Sequence, residues 1–315
     1  MRLRLFLLLG FIFPFLTGWG HWGPQVKIGL SLDHAQGREI LVHKLKEELE
    51  ENRADVLMAD AKDDPATQES QVKDLLAKGI QALIVIPANP LKAAPLVEAA
   101  HAAGIKVLSL GGMIPGGLDY LVAFNAEKSG ELQARALVAQ VPKGRYALLG
   151  DSTDGSKGFR DGWMKVLQPL IDGGDIQIAA SLAPDGAKAP KDLESFLKGK
   201  KVDALLTADN KKAGLSGKVP VAGDGEDLDT CRRIHTGTQW VTIYDPPQKL
   251  AEEAAYLAAK LARKAKQFDC QFTEINNGDF KTMAVLLTPL AVNAKNLDST
   301  ILKDGVVKKE DVYGK

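Results

Sequence analysis

The chain has 315 residues, of which 45% are hydrophobic, and carries 40 basic and 40 acidic side chains. This composition is typical of a globular protein and gives room for about two domains. A formal charge of zero argues against a nucleic-acid partner, and two cysteines are too few for a disulfide scaffold or a cysteine-rich zinc site.

The N-terminus has the features of a secretory signal peptide. Residues 1–4 include two arginines, residues 5–16 are mostly apolar, and small residues follow at Gly18 and Gly20. The apolar run is short for a membrane span, and an uncleaved anchor is the alternative interpretation. We therefore expect residues 1–20 to be a signal peptide and the mature protein to lie outside the cytoplasm.

The remaining chain alternates predicted strands and helices. Short apolar runs indicate strands, and apolar residues three or four positions apart indicate helices. Strands are predicted at residues 26–32, 55–59, 82–87, 105–110, 120–124, 146–149, 176–182, 204–208, 219–223, 239–244 and 283–287. Helices are predicted at residues 40–49, 67–78, 92–103, 127–140, 158–171 and 248–266, with one more ending at His235.

Regular alternation of strands and helices predicts an α/β protein with parallel sheets covered by helices. The strands are too many for one small sheet, and no Gly/Pro/Ser-rich linker divides the chain, so we expect two closely joined lobes. Residues 209–218 connect two strands but are too few and too polar for the helix that a parallel crossover normally needs. One covering helix of the second lobe is therefore expected to be missing.

Polar side chains follow most of the predicted strands, where ligands bind in open α/β sheets. These side chains are, in chain order, Asp33, His34, Asn89, Asn125, Asp154, Asp209, Asn210, Asp224 and Asp245. Carboxylates and amides accept hydrogen bonds from hydroxyl or ammonium groups, and carboxylates repel anions. The pattern indicates a hydroxyl-rich or cationic ligand, although Asp and Asn also favour caps and turns for purely structural reasons.

Two further features are left open by the sequence. Trp240 is the best candidate for an aromatic ligand platform, although core or inter-lobe packing is an alternative, since it alternates with Thr242 and Tyr244 on one face of its predicted strand. Cys231 and Cys270 form a disulfide only if the fold brings them together, which spacing alone does not decide.

Signatures of common enzymes are missing from the sequence. It contains no His-Glu-x-x-His motif, no P-loop, no Gly-x-Ser-x-Gly elbow and, after the N-terminal residues 18–23, no Gly-x-Gly-x-x-Gly motif. Residues 150–155 lack the spaced oxygen ligands of an EF-hand loop. We therefore expect a protein that is not an enzyme and that uses neither a cofactor nor a metal ion.

Seven stretches of the sequence carry a resemblance to a known family. They are residues 26–29, 74–80, 127–134, 164–169, 214–219, 237–239 and 287–289. In these stretches the chain resembles the bacterial periplasmic sugar-binding proteins of ABC importers, and among them the D-xylose-binding group.

The resemblance implies two Rossmann-like lobes, joined by three crossing strands, that close on a sugar by hinge bending. The first lobe is expected to hold residues 24–125 and 246–283, and the second residues 126–245 and 284–315. The chain is then expected to cross between the lobes near Asn125, Asp245 and Ala284. The implied location is the periplasm.

The chain departs from the D-xylose-binding pattern at ligand positions. The loop at residues 33–38 is short and lacks an aromatic side chain, and Gly111-Gly112 replaces an Asp-Arg pair. The family's tryptophan falls at Ala187, and Asp245 replaces a lysine. Because hydrogen bonds to charged groups contribute about 1.5–3 kcal/mol each, we expect no tight binding of xylose.

Two functions are consistent with these features. The first is a periplasmic receptor that captures a small sugar or polyol, or a cationic amine, and docks on a membrane ABC permease or a sensor kinase. The second is a repurposed scaffold without tight ligand binding, which acts as an interaction or assembly protein of the cell envelope. The short loops and the missing helix motivate the second function, because exposed apolar surface favours self-association.

Overall fold

The computed structural model describes residues 24–150, 154–182, 198–208 and 219–314, without the side chains of residues 154–156 and 182. Several predictions fall outside the described residues and side chains. They concern the signal peptide at residues 1–20, the missing helix at residues 209–218, Ala187, Asp209, Asn210 and the side chain of Asp154.

The described residues form thirteen strands and eight α-helices. In chain order these are β1 (Val26–Leu32), α1 (Glu39–Glu51), β2 (Ala54–Asp60), α2 (Pro65–Ala77), β3 (Ala82–Val85), α3 (Ala94–Ala102), β4 (Lys106–Leu110), β5 (Tyr120–Phe124), α4 (Ala126–Gln140), β6 (Gly144–Leu149), α5 (Asp154–Asp172), β7 (Ile176–Leu182), β8 (Ala204–Thr207), β9 (Val221–Asp224), α6 (Leu228–Thr236), β10 (Val241–Tyr244), α7 (Pro247–Ala262), β11 (Thr273–Asn277), β12 (Phe280–Leu287), β13 (Leu290–Val292) and α8 (Lys309–Tyr313). A short 3-10 helix at Pro90–Lys92 precedes α3.

The strands form two sheets, and these sheets define the two lobes. The first sheet has seven strands in the order β11-β12-β5-β4-β3-β1-β2, and the second has six in the order β13-β10-β9-β8-β6-β7. Neighbouring strands pair in parallel except for β11 with β12 and β10 with β13. The predicted class, α/β with two lobes and mainly parallel sheets, is confirmed.

Strand β3 shows why the central strands are apolar throughout. Ala82 and Ile84 face the core beneath α1 and α7, whereas Leu83 and Val85 face the core beneath α2 and α3. All four side chains are buried, because helices cover both faces of the first sheet. This two-sided burial is what the unbroken apolar run in the sequence indicates.

The chain passes between the two sheets three times, after β5, after β10 and after β12. The third passage lies at residues 288–289 and not near Ala284, which pairs with Leu121 inside the first sheet. The lobe boundary expected between residues 283 and 284 therefore falls within β12 and must move toward the C-terminus. The hairpin partner β11 was not predicted as a strand, because its sequence is mostly polar.

Helices α4 and α5 approach each other closely through glycines. A Cβ atom at Gly130 would overlap the carbonyl oxygen of Phe159, and one at Gly162 would overlap the carbonyl oxygen of Glu127. The backbone contact fixes α4 against α5. Since α4 starts directly after the first inter-lobe passage, this contact joins α5 to the first helix of the second lobe.

We expect the substitution Gly162→Ala to destabilise the protein by at least about 2 kcal/mol, because overpacking moves the two helices apart. An isolated helix would instead gain about 1 kcal/mol from the same change, so the sign of the effect tests the packing. Chemical denaturation measures it. Gly117→Ala is the control, since a Cβ there would meet no atom closer than 3.7 Å, and an equal effect of both substitutions would contradict the close approach.

Candidate functional site: a cleft between the lobes

A buried glutamine fixes the strand ends of the first lobe. Gln68 of α2 donates through Nε2 to Ser31 Oγ (3.1 Å) and to the carbonyl oxygen of Ile86 (2.8 Å). Its Oε1 accepts from the backbone N–H of Ala88 (2.9 Å). These bonds hold the carboxyl ends of β1 and β3 in place where the sheet meets the cleft.

The second lobe repeats this arrangement with Gln133 of α4. Its Nε2 donates to the carbonyl oxygens of Gly223 (2.6 Å) and Thr207 (3.2 Å), at the carboxyl ends of β9 and β8. Its Oε1 accepts from Trp163 Nε1 (2.7 Å) on α5. A side chain from a covering helix thus sets the position of the strand ends in each lobe.

An open cleft of about 510 Å³ lies between the two lobes. The first lobe contributes residues 37–41 and Gly111, the second contributes Glu226 and Val306, and Phe124 and Asp245 come from the ends of strands that lead between the lobes. The volume is in the range of pockets that bind small molecules. The cleft is therefore the candidate functional site.

Three acidic residues lie together on one side of this site, and we call them the acidic wall: Glu226 and Asp245 line the cleft, and Asp224 lies next to them. Asp224 ends β9, and Asp245 follows β10, which pairs with β9 in parallel. The intervening Gly225 donates its N–H to the carbonyl oxygen of Ile243 (3.0 Å) and accepts a hydrogen bond from Thr242 Oγ1 (2.6 Å). These backbone contacts hold the three carboxyl groups at one end of the second sheet.

The surroundings raise the pKa of each carboxyl group in the acidic wall. Loss of solvent raises the pKa of Asp224 well above its usual range, and the charges of Asp245 and Glu226 add to the effect. Loss of solvent and the charge of Glu226 raise the pKa of Asp245 to about 7. The same causes raise the pKa of Glu226, where Asp227 is the neighbouring charge.

Asp245 is enclosed by protein on most sides, yet its side chain is open to the water in the cleft. Both conditions hold together because the wall of the cleft is concave. A ligand that enters the cleft therefore displaces water from an acid whose protonation changes near neutral pH.

Arg38 faces the same cleft from the first lobe, and sequence analysis missed it. Its Nε and Nη2 donate to the two carboxylate oxygens of Asp33 at 2.9 Å and 2.7 Å. Asp33 therefore orients Arg38, which stands at the start of α1 and lines the cleft. The sequence feature that could have identified Arg38 is its position five residues after Asp33, an aspartate at the end of a predicted strand.

The structure brings only part of the predicted site together. Asp224 and Asp245 belong to the acidic wall. Asp33 contributes indirectly, because it orients Arg38, which lines the cleft. His34 Nδ1 instead contacts Asp63 Oδ2 at 3.0 Å. The oxygens of Asn89 and Asn125 cap the first turns of helices by accepting from the N–H groups of Leu91 and Lys128, both at 3.0 Å.

The structure removes Trp240 from the candidate site. Trp240 lies before β10, and its N–H donates to the carbonyl oxygen of Val221 at the start of β9. Asp245 lies at the other end of the same strand, roughly 16 Å away at about 3.3 Å per residue. Trp240 is 41% exposed and lies at the amino edge of the sheet, whereas Phe124 is the aromatic residue among the described residues that line the cleft.

The two cysteines are free and lie in different cores. Cys231 is buried with Tyr244 and Ile301 in the second lobe, whereas Cys270 packs against the core beneath α1 and α7 in the first lobe. Within the described residues, no group of three or more His, Cys, Asp or Glu side chains has an arrangement that holds a metal ion. None of the described helices has the length and apolar character that crossing a membrane requires.

Comparisons with known proteins agree with this architecture. A model described as "Periplasmic binding protein domain" matches residues 31–266. The D-xylose-binding periplasmic protein of Haemophilus influenzae is 37% identical over 313 residues, covering 92% of this chain and 92% of that protein. The protein of the same name from Escherichia coli is 36% identical over 321 residues, covering 94% of this chain and 96% of its own length.

A solved structure shows the same fold at lower sequence identity. An ABC transporter solute-binding protein from Clostridium phytofermentans, solved with bound β-D-glucose, superposes with a TM-score of 0.73. It is 18% identical and covers 91% of this chain and 99% of its own. The likeness extends over both lobes and therefore includes the cleft between them.

The raised pKa of Asp245 predicts that the empty protein loses stability as the pH rises. The folded value of about 7 lies above the value of about 4 expected for an unfolded chain. The stability that protonation contributes is complete below pH 4 and disappears as the pH rises through 7. Because Asp245 is open to water, we expect solvent screening to limit the effect to about 1 kcal/mol.

The substitution Asp245→Asn is therefore expected to raise the thermal midpoint at pH 8 by about 2 °C and to leave it unchanged at pH 4. Differential scanning calorimetry at both pH values measures the two midpoints. Asp229→Asn, on the exposed first turn of α6, is the control. A shift from Asp245→Asn that is equal at both pH values would contradict the assignment.

Proposed function

The chain belongs to the periplasmic binding protein family, and from this premise we propose that it captures a small sugar or polyol in the cleft between its lobes. The resemblance noted in the sequence is thereby confirmed at the level of the family. The observation that carries the proposal is the cleft itself, which is lined just beyond the ends of β10 and β9 by Asp245 and Glu226. Carboxyl groups accept hydrogen bonds from hydroxyl groups, which a sugar or polyol supplies on every side.

The remaining walls of the cleft suit the apolar C–H surface of a sugar or polyol. Phe124 presents an aromatic ring next to the first inter-lobe passage, and Leu250 of α7 adds an apolar surface. Pockets for small molecules combine apolar surface with a few polar groups that orient the ligand. The cleft has this combination.

Closure of the cleft is the proposed mechanism of capture. The walls belong to different sheets, and the three passages after β5, β10 and β12 are where a hinge can bend. A ligand that contacts both walls favours the closed arrangement by its higher affinity for that state. We propose that the closed form then docks on a membrane ABC permease or a sensor kinase, and that the protein works in the periplasm without catalysing a reaction.

Xylose is not the ligand that the cleft favours. Gly111 lies in the cleft without a side chain, where the resemblance implies an Asp-Arg pair. Asp245 stands where the resemblance implies a lysine. Relatives named for D-xylose binding are 36–37% identical to this chain, which leaves most positions free to differ.

We expect isothermal titration calorimetry with D-xylose to give a dissociation constant weaker than about 1 µM. A thermal-shift screen of sugars and polyols is expected to find a different ligand, which at 100 times its dissociation constant stabilises the protein by about 2.7 kcal/mol. Phe124→Ala is expected to weaken that ligand at least tenfold. Phe280→Ala, which removes an exposed ring outside the cleft, is the control.

Tight binding of xylose would contradict the specificity proposed here. A screen without any ligand, together with oligomers that form as the concentration rises, would contradict capture altogether. That result would support the alternative function, a scaffold of the cell envelope.

A further inference from the structure

The part of the chain that the structure describes supplies no cation to balance the negative charge of the acidic wall. Within the described residues, no lysine, arginine or histidine forms an ion pair with Asp224, Glu226 or Asp245. The charges that act on Asp224 are those of Asp245 and Glu226, and both are negative. Like charges at close range raise the free energy of the ionised state unless a cation enters between them.

Asp224 is a half-buried carboxyl group at the end of β9. Loss of solvent raises its pKa, and the two neighbouring carboxyl groups of the wall add to the effect. A carboxyl group taken out of water normally finds a donor or a cation, because an unpartnered one is costly. Asp224 therefore adds to the demand for a donor or a cation beside Glu226 and Asp245.

Arg38 does not neutralise this wall. It lines the cleft from the first lobe, but its Nε and Nη2 are both engaged by Asp33, which balances its charge. Glu39, the next residue of α1, adds another carboxyl group to the lining. The described residues of the cleft therefore present an excess of negative charge to a ligand.

We propose that the ligand is a polyhydroxylated amine, such as an amino sugar, whose protonated nitrogen lies against Glu226 and Asp245. This inference rests on the proposed function and names the ligand class of the same cleft. The hydroxyl groups of the ligand donate to the remaining acceptors, and its ammonium group supplies the missing cation. A neutral sugar satisfies the acceptors but leaves the charges unbalanced.

The size of the cleft agrees with this ligand class. About 510 Å³ accommodates a monosaccharide with room for hydration. A protonated amine donates three hydrogen bonds, so that one nitrogen can reach more than one carboxylate of the wall. Charge-assisted bonds of this kind are stronger than those from a hydroxyl group.

The proposal is tested by calorimetry at pH 6.5 with matched pairs that differ only in the amine. The pairs are D-glucosamine and D-glucose, D-galactosamine and D-galactose, and 1-amino-1-deoxy-D-sorbitol and D-sorbitol. In the pair that binds best, the amine is expected to bind at least tenfold more tightly than its neutral partner. N-acetylation of that amine removes the charge and is expected to abolish the advantage.

Variants of the wall provide the second arm of the test. Asp245→Asn and Glu226→Gln are each expected to lower the ratio of amine to neutral affinity at least fivefold. The ratio is the readout because a general loss of folding or closure changes both affinities alike. Asp229→Asn, outside the cleft, is expected to leave the ratio unchanged and controls for the net charge of the lobe.

The outcomes separate this inference from the proposed function. If a neutral sugar or polyol binds as tightly as its amine, or if the variants leave the ratio unchanged, the amine assignment is wrong and capture of a neutral ligand stands. If no compound of either kind binds, the proposed function fails, and the amine assignment fails with it.

Discussion

The arrangement of the cleft depends on two buried glutamines. Each belongs to a helix that covers a sheet, and each forms hydrogen bonds to the carboxyl ends of strands in that sheet. Gln68 and Gln133 each use both ends of the amide, so neither the donor nor the acceptor is left without a partner. An unsatisfied amide in such a position would cost about 1–3 kcal/mol, which makes each arrangement specific. Because the glutamines belong to different lobes, each wall of the cleft is rigid on its own, and relative motion is confined to the passages between the sheets.

This rigidity explains how one wall can hold three carboxyl groups close together. A flexible loop would move Asp224, Glu226 and Asp245 apart and relieve their repulsion, whereas the strand pairing of β9 and β10 prevents it. Without a ligand, the carboxyl group of Asp245 is therefore partly protonated near neutral pH, as its pKa of about 7 indicates. Without a ligand, repulsion among these carboxyl groups lowers the free energy of unfolding. A bound cation removes this repulsion, and the free energy recovered adds to the affinity for the ligand. Polar groups that destabilise the empty fold are typical of functional sites.

The sequence allowed the layers of the fold to be predicted, because β3 and its neighbours are buried on both faces and carry unbroken apolar runs. Predictions from the sequence were wrong where tertiary contacts, and not the local residue pattern, determine the structure. Strand β11 is polar and pairs only at an edge, and Trp240 lies one residue before the strand that it was assigned to. In the site, the strand-end rule found Asp245 and the neighbouring Asp224. It missed Glu226, which lies beyond β9, and Arg38, which lies directly before α1. Asn89 and Asn125 followed the same rule yet serve as helix caps, so residue type alone does not separate ligand contacts from caps.

The central claim is that the ligand binds against the acidic wall, and the protons exchanged on binding test it most directly. They are measured by titrating the amine that binds best at pH 6 in buffers of different ionisation enthalpy. At this pH the carboxyl group of Asp245 is mainly protonated, and a cation beside it lowers its pKa. The account predicts that about half a proton or more is released for each ligand bound, and that Asp245→Asn reduces the release. Binding without proton release, or with the same release in the variant, would place the ligand elsewhere and contradict the account.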